Sequence, residues 1–284
     1  MSLTNPSVVR ALLARHKIRL RKRWGQNFLI DAHVLEKIVS FAQINSDDTV
    51  LEIGAGIGTL TQKLAERAAR VIAVEIDARL IPLLREHLRA HSHTEILCQD
   101  FLEFDLKSLP SQTKVVGNLP YYITAPILEK LIEAHKHLHS ALVMVQLEVA
   151  EKLSALVGTR DASAITVFAQ AFADVEYLTK VSKHCFFPKP EVDSALVRLG
   201  FLRQPRFQAP EDLFFKVVRA SFNLRRKTLL QALSQSPWLA LPRDSVRAAL
   251  EKAAIDPQRR GETLSLEEFD RLAQQIDAVV RTKL

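Results

Sequence analysis

The chain has 284 residues, of which 48% are hydrophobic and 25% charged, an ordinary composition for a globular protein that can bury a core. No apolar run reaches the roughly 20 residues that cross a bilayer, and no secretory signal is recognisable, so we expect no membrane association. Cys98 and Cys185 are the only cysteines, which excludes a disulfide framework and favours a cytoplasmic location.

The first 30 residues form a basic arm that carries the whole excess of positive charge. The chain has 39 Lys and Arg against 32 Asp and Glu, a formal net charge of +7. Subtracting the seven cations of the arm from 39 leaves 32, which balances the acids. Such an arm attracts phosphates, with a solvated tail and a transit peptide as alternatives. The cations are Arg10, Arg15, Lys17, Arg19, Arg21, Lys22 and Arg23.

From residue 31 to residue 146, short β-branched or apolar runs alternate with helical apolar spacing, and Asp31 is the predicted N-cap of the first helix. The predicted strands are Thr49–Ile53, Arg70–Ile76, Thr94–Gln99, Thr113–Gly117 and Ala141–Gln146. The predicted helices between them are Thr59–Ala68, Ala78–Ala90 and Ala125–His135. This alternation predicts an α/β fold with a Rossmann-like, doubly wound parallel sheet.

The pattern changes after this alternating region. Val175–Lys180 and Ser194–Leu202 predict an antiparallel pair at one edge of the sheet, on either side of a proline-rich stretch. Only helices are predicted after residue 204: Glu211–Ser221, Arg225–Ser234, Asp244–Ala253 and Leu266–Ala278. We therefore expect an arm at 1–30 with a cofactor motif, a Rossmann-like domain at 31–204, and a small all-helical domain at 205–284.

A glycine-rich turn, Gly54-x-Gly56-x-Gly58, follows the first predicted strand and precedes a helix. Glycines there let the backbone pass close to a ligand, although a tight turn without a ligand is an alternative. The dinucleotide fingerprint needs its third glycine where Thr59 stands. The spacing therefore disfavours a pyrophosphate site and favours S-adenosylmethionine, which has no phosphate.

Acidic residues stand at the ends of the next two predicted strands. Glu75 can accept both hydroxyls of a ribose, and Asp100 can accept from the amino group of the cofactor's adenine. A single acid at such a position is more often a helix cap. Together with the glycine turn these acids favour a ligand site, because ligands of open α/β sheets bind at the carboxyl ends of the strands.

The most informative motif, Asn118-Leu119-Pro120-Tyr121, falls at the end of the fourth predicted strand. The Asn118 side-chain oxygen and the Leu119 carbonyl can accept both protons of an adenine N6 amine, which turns its lone pair towards a methyl donor. Tyr121 is expected to stack on the base, with Phe187 a candidate for its other face. The motif predicts an amino-group methyltransferase acting on nucleic acid, with a structural turn as the alternative.

A second basic cluster lies far along the chain and supports a nucleic-acid partner. The residues expected to contact RNA are Arg19, Arg21, Lys22, Arg23, Arg225, Arg226 and Lys227. His135, His137 and His139 are the densest histidine group, but a pair of ligands without a third is weak evidence, so we expect no metal.

Taken together, these motifs resemble the KsgA family of small-subunit rRNA adenine N6,N6-dimethyltransferases over nearly the whole chain. The matching segments are Arg23–Leu29, Leu51–Gly58, Glu75, Asp100, Asn118–Tyr121, Phe186–Ala195, Ser221–Leu229 and Ile255–Ser265. The chain departs from the family's pattern at Leu147, at Ala162-Ser163 and at Leu224, which leaves details of RNA docking open.

The resemblance implies the substrate as well as the cofactor. The residues it assigns to S-adenosylmethionine are Asn27, Leu29, Gly54, Glu75, Asp100 and Asn118. The target would be two adjacent adenines in the 3′-terminal hairpin of 16S rRNA, dimethylated by a monomeric enzyme in a late pre-ribosomal 30S particle. The alternatives are a resistance methyltransferase acting on large-subunit rRNA, a non-enzymatic assembly factor, and a nicotinamide oxidoreductase. The arm either binds RNA or orders over the cofactor.

Overall fold

The structure is a computed structural model that describes residues 3–20 and 25–281. Arg21, Lys22 and Arg23, three of the expected RNA contacts, lie outside the described residues. The chain divides into two compact units, residues 1–151 with 174–203 and residues 152–173 with 204–284. None of the described helices is long and apolar enough to cross a membrane. The functional division at residues 30 and 204 stays a prediction.

The described part of the basic arm is helical. Helix α1 (Pro6–Arg15) begins after Asn5, whose side chain accepts a hydrogen bond from the Ser7 N–H. Its apolar face buries Val9 and Leu13. These residues pack in a cluster with Ile57, Leu80 and Leu83, among others. A solvated tail, one of the alternatives for the arm, is therefore wrong for residues 6–15, because this face removes apolar surface from water.

The first unit is built on a seven-stranded sheet with the strand order β4-β3-β2-β5-β6-β9-β7. The strands are β2 (Thr49–Ile53), β3 (Arg70–Glu75), β4 (Thr94–Cys98), β5 (Thr113–Asn118), β6 (Leu138–Gln146), β7 (Ala173–Val181) and β9 (Ser194–Phe201). Strands β2 to β6 pair in parallel, and β9 pairs antiparallel to β6. A short two-stranded sheet joins β1 (Phe28–Leu29) to β8 (Phe186–Phe187). The Rossmann-like fold class is confirmed.

The predicted strands agree closely with the structure. Thr49–Ile53 is confirmed at both ends, and the next three strands differ from their predicted ends by one residue. The fifth strand begins at Leu138 rather than Ala141. Strand β7 is the outermost strand beside β9, as the predicted edge requires.

Helices flank the sheet: α2 (Ala32–Phe41), α3 (Thr59–Ala65), α4 (Ile81–His87), α5 (Thr124–Glu133) and α6 (Leu147–Ser154). Asp31 caps α2 as predicted, because its carboxylate accepts from the Val34 N–H at 2.9 Å. The core below α2 and α3 is apolar and includes Leu35, Ile38, Leu64 and Val116. Burying these side chains holds α2 and α3 on the sheet, and so fixes the position of the strand end that precedes α3.

The second unit is helical, as predicted. Its helices are α7 (Ala164–Phe172), α8 (Glu211–Asn223), α9 (Leu229–Ser234), α10 (Arg243–Lys252) and α11 (Leu266–Arg281). Helix α7 was not predicted. The predicted start of α9 at Arg225 is wrong: Thr228 caps this helix, and the Lys227 N–H bonds to the Leu224 carbonyl in the turn before it.

Candidate active site

An open cavity lies in the first unit at the carboxyl ends of β2, β3 and β5. Its empty volume is about 1000 Å³, counted out to its open mouth. The residues predicted to bind the cofactor all line it: Asn27, Leu29, Gly54, Glu75, Asp100 and Asn118. In open α/β sheets, ligands bind at the carboxyl ends of the strands. The cavity is therefore the candidate cofactor site, and the roles of these residues stay predictions.

The glycine turn forms one wall of the cavity. Gly54, Gly56 and Gly58 have φ angles of +74°, +59° and +85°, a region that favours glycine. The N–H groups of Gly54 and Ala55 both donate to the Val74 carbonyl, at 2.9 and 3.2 Å, which ties the turn to β3. A Cβ on Gly56 would lie 3.1 Å from the Phe28 ring. The turn therefore needs glycine for its backbone angles and, at Gly56, for space.

Glu75 ends β3 at the rim of the cavity, with only 6% of its surface exposed. One carboxylate oxygen accepts from the Gly56 N–H at 2.7 Å and the other from the Asp77 N–H at 2.8 Å. Burial raises the pKa of Glu75, and these backbone hydrogen bonds work against that rise. The carboxylate is thus held in one position, and each oxygen keeps a lone pair that can accept from a ribose hydroxyl.

Asp100 both caps a helical turn and lines the cavity, two roles that the sequence analysis treated as alternatives. Its Oδ1 accepts from the Leu102 N–H at 2.8 Å, so it caps the single turn Phe101–Glu103. It also lines the cavity, between Gln99 and Phe101. The cap fixes the carboxylate, and the buried residue Phe101 lines the cavity next to it.

The segment from Gly25 to Leu29 also lines the cavity, and a hydrogen bond holds it to Asp77. Asp77 is fully buried and accepts from the Gln26 amide at 2.8 Å and from the Arg79 guanidinium at 2.6 Å. Arg79 also donates to the Arg19 carbonyl at 2.9 Å. Asp77, two residues after Glu75, therefore connects the arm, through Arg79, to the rim of the cavity.

Asn118 closes the cavity at the end of β5. Its Nδ2 donates to the Asn27 carbonyl at 3.0 Å, which fixes the orientation of the amide and leaves Oδ1 as the acceptor. The Leu119 side chain is buried, and its N–H donates to the Met144 carbonyl at 3.0 Å. Pro120 lines the cavity beside Asn118. Asn118 thus lines the cavity with its amide held in one orientation, at the strand end where the amine was predicted to bind.

The two aromatic residues predicted to hold the base lie outside the cavity wall. The Tyr121 hydroxyl hydrogen-bonds to Ser194 Oγ at 2.8 Å, and burial raises the pKa of this phenol. Phe187 pairs with Phe28 in the short sheet, and the Arg10 guanidinium lies 5.2 Å from the centre of its ring. Tyr122, which is 52% exposed, lines the cavity instead. The stacking roles of Tyr121 and Phe187 stay predictions.

The basic cluster of the second unit is exposed in the turn before α9. Arg225, Arg226 and Lys227 are all exposed, and Arg225 donates to the Arg160 carbonyl at 2.8 Å. In the first unit, the Arg19 side chain is also exposed. These cations are accessible to a phosphate backbone, and their contacts with RNA stay a prediction.

Glu52 and Thr59 are among the polar residues of the cavity wall that the sequence analysis did not assign to the site. Glu52, in the middle of β2, is 1% exposed, and Thr59 begins α3. Glu52 Oε2 and Thr59 Oγ1 are buried without a hydrogen-bond partner among the residues that the structure describes. The available signal was a charged residue inside an apolar strand, since a buried acid needs a partner.

These groups fit a nucleoside with a charged tail. Carboxylates at Glu75 and Asp100 suit hydroxyl and amino donors, the glycine turn allows close approach, and the orphaned Glu52 oxygen calls for a donor. Fold and site together define an S-adenosylmethionine-dependent methyltransferase, whose cofactor supplies an electrophilic methyl group on a sulfonium.

Comparison with known proteins narrows this class. The family model described as ribosomal RNA adenine dimethylase matches residues 17–277. The chain belongs to this family and is an rRNA adenine dimethyltransferase. It is 43% identical to the ribosomal RNA small subunit methyltransferase A of Lachnoclostridium phytofermentans, over 97% of this chain and 98% of that protein. It is 40% identical to the Clostridioides difficile protein of the same name, over 99% of both chains.

Solved structures give the same picture. A dimethyladenosine transferase from Plasmodium falciparum is similar with a TM-score of 0.75 and 28% identity, over 88% of this chain and 98% of that chain. The 23S rRNA methyltransferase ErmE has a TM-score of 0.67 and 32% identity, over 88% of this chain and 100% of the other. The expected enzyme class and the expected cofactor are confirmed.

Proposed function

We propose that the protein dimethylates N6 of two adjacent adenines in the 3′-terminal hairpin of small-subunit rRNA, acting as a cytoplasmic monomer on a late pre-ribosomal 30S particle. The relatives with 40–43% identity over nearly the whole chain are named for the small subunit. The likeness to ErmE, named for 23S rRNA, is lower at 32% and covers 88% of this chain. This difference in identity and coverage favours the small-subunit substrate.

The fixed amide of Asn118 is the observation that carries the chemical part of the proposal. Because Nδ2 is bound to the Asn27 carbonyl, Oδ1 is presented as an acceptor. An adenine amine that donates one proton to Oδ1 and the other to the Leu119 carbonyl loses conjugation with its ring. Its lone pair then becomes available for the methyl group.

No strong general base is required for this step. The nitrogen becomes cationic as the methyl group arrives, so its proton leaves easily afterwards. The Asn118 oxygen and the Leu119 carbonyl stabilise the positive charge that develops on the nitrogen, and they are positioned before the reaction begins. Tyr121 and Phe187 would hold the base by stacking, worth roughly 1–3 kcal/mol per base.

The RNA is held by exposed cations in this proposal. Arg225, Arg226 and Lys227 form one contact area, and Arg19 of the arm contributes to another. Contacts of this kind neutralise phosphates and release counterions, so they supply affinity without reading the sequence. The identity of the target adenines must therefore come from the shape of the hairpin and from the base pocket.

The test is to map the product. Purified protein is incubated with methyl-tritiated S-adenosylmethionine and either immature small-subunit particles that lack the modification or large-subunit rRNA. Mass spectrometry of the 3′ fragment should find two adjacent N6,N6-dimethyladenines in the small-subunit RNA. Label confined to large-subunit RNA would overturn the proposal and favour the ErmE-like substrate. If an Asn118→Ala variant that does not methylate still restores assembly of the small-subunit particle, the result would favour a non-enzymatic assembly factor.

A further inference from the structure

A buried serine anchors the hydroxyl end of Tyr121 inside the first unit. The Tyr121 hydroxyl lies 2.8 Å from Ser194 Oγ, and Ser194 is fully buried. Ser194 begins β9 and lies in register with Gln146 of β6, so the sheet sets its position. Burial raises the pKa of Tyr121, because desolvation disfavours the phenolate. The phenol therefore stays neutral and keeps this hydrogen bond.

The backbone end of Tyr121 is fixed as well. The Pro120 carbonyl accepts from the Ile123 N–H at 3.2 Å and from Thr124 Oγ1 at 3.1 Å, which closes the single helical turn Tyr121–Ile123. A tyrosine ring is joined to the backbone through only two rotatable bonds. A fixed backbone and a fixed hydroxyl together therefore define the plane of the Tyr121 ring.

The residue before Ser194 holds the second segment that was predicted to contact the base. The Asp193 carboxylate accepts from the Lys183 N–H at 3.0 Å and pairs with Lys180 Nζ at 2.8 Å. Lys183 begins the turn Lys183–Cys185, which leads directly into β8 and Phe187, the candidate for the other face of the base. Two adjacent residues at the start of β9 are therefore bonded to both segments of the predicted base site.

We propose that Ser194 is a positioning residue for methyl transfer, which fixes through Tyr121 the plane on which the target adenine stacks. A phenylalanine ring would offer the same face for stacking, so the hydroxyl is explained by its bond to Ser194 rather than by the stack. The plane matters because N6 must meet the Asn118 oxygen and the methyl group at once, and a tilted base misses both. The inference rests on the stacking role of Tyr121 in the proposed function and adds the residue that orients it.

A positioning role and a purely structural role predict different effects of this hydrogen bond. A bond that only stabilises the fold changes the midpoint of unfolding and leaves the rate of the folded enzyme unchanged. A bond that orients the ring lowers the rate of methyl transfer once RNA and cofactor are bound, while the affinity for the cofactor stays the same. Because Ser194 acts through the Tyr121 hydroxyl, its substitution should have no further effect once that hydroxyl is absent.

The test is a double-mutant cycle with the full chain, measured as single-turnover methyl transfer at saturating S-adenosylmethionine. The enzyme is in excess over immature small-subunit particles that lack the modification. Tyr121→Phe and Ser194→Ala should each lower the rate by about 3- to 10-fold, the value of one hydrogen bond. The double variant should stay within about twofold of the slower single variant. Ser182→Ala is the matched control, because the Ser182 hydroxyl accepts from the His184 N–H at 3.3 Å, and it should keep the original rate.

Calorimetry should find S-adenosylhomocysteine within about twofold of its original affinity in all of these variants. An unchanged rate in Tyr121→Phe would overturn the inference, and this variant requires no change at Ser194. A double variant slowed by the product of the two single effects would overturn it too, as would a parallel loss of affinity for S-adenosylhomocysteine. Tyr121→Ala separates the inference from the proposed function. An unchanged rate in Tyr121→Ala refutes the stacking role itself, whereas a rate lowered by Ala and not by Phe refutes only the positioning by Ser194.

Discussion

The glycine turn allows a stability prediction in which strain and crowding can be separated. Gly54 and Gly56 both have left-handed backbone angles, with φ of +74° and +59°. A Cβ at Gly54 would meet only the Asn118 carbonyl, at 3.7 Å, which is ordinary contact. A Cβ at Gly56 would lie 3.1 and 3.2 Å from two atoms of the Phe28 ring. Phe28 is 7% exposed and packs with α1, so its ring has little room to move.

The magnitudes follow from these contacts. Left-handed strain costs about 1–2 kcal/mol for a residue with a Cβ, so Gly54→Ala should lower the free energy of unfolding by about that amount. Gly56→Ala adds the crowding of a packed ring, about 1–3 kcal/mol more. The gain from restricting the unfolded chain is common to both variants and cancels in their difference.

Urea unfolding of the cofactor-free protein, followed by circular dichroism, measures this difference. The slope against urea should be the same in both variants, so that the midpoints report stability alone. Equal destabilisation of the two variants would refute the argument from the Phe28 ring. Gly56→Ala should also weaken S-adenosylhomocysteine, because the Gly56 N–H holds Glu75 at 2.7 Å.

Three further predictions concern the anchor, the amine site and the RNA surface. Asp77→Asn should lower the free energy of unfolding at pH 7 by about 1–3 kcal/mol. Although burial opposes it, the Arg79 hydrogen bond lowers the pKa of Asp77 below 3.8, so the loss should shrink as pH falls through that lowered pKa in acid-unfolding experiments. Asn118→Ala should slow single-turnover methyl transfer by about 100- to 1000-fold at saturating cofactor; an unchanged rate would contradict its role. Replacing Arg226 and Lys227 by Ala should reduce the salt slope of RNA binding by about one per cation, and a parallel slope would show that they are merely solvated.

The sheet and the cofactor wall were predictable because their signals are local. A run such as Thr49–Ile53 is bounded by turn residues, and the acids Glu75 and Asp100 stand at or just after the ends of apolar strands. The glycine spacing predicted a turn that a ligand can approach closely, and the positive φ angles of Gly54 and Gly56 are consistent with such a turn. These patterns depend only on residues close in sequence, so the local structure that they predict agrees closely with the structure observed.

The misses depend on contacts between distant residues. Helix α1 was hidden by its cations, and only its packing against Ile57 and Leu80 explains why Val9 is buried. Glu52 lies within the predicted apolar strand Thr49–Ile53, and its lack of a partner is visible only once the surrounding strands are in place. The hydrogen bond from Asn118 to Asn27 spans 91 residues, so no local pattern could predict which end of the amide is the acceptor.

The most direct test of the account is a crystal structure of the protein with bound S-adenosylmethionine. We expect the ribose hydroxyls on the Glu75 carboxylate, the adenine beside Asp100, and the sulfonium methyl directed towards the oxygen of the Asn118 side chain. A methyl group that points away from Asn118, or a cofactor bound on the other side of the sheet, would contradict the proposed mechanism at its starting point.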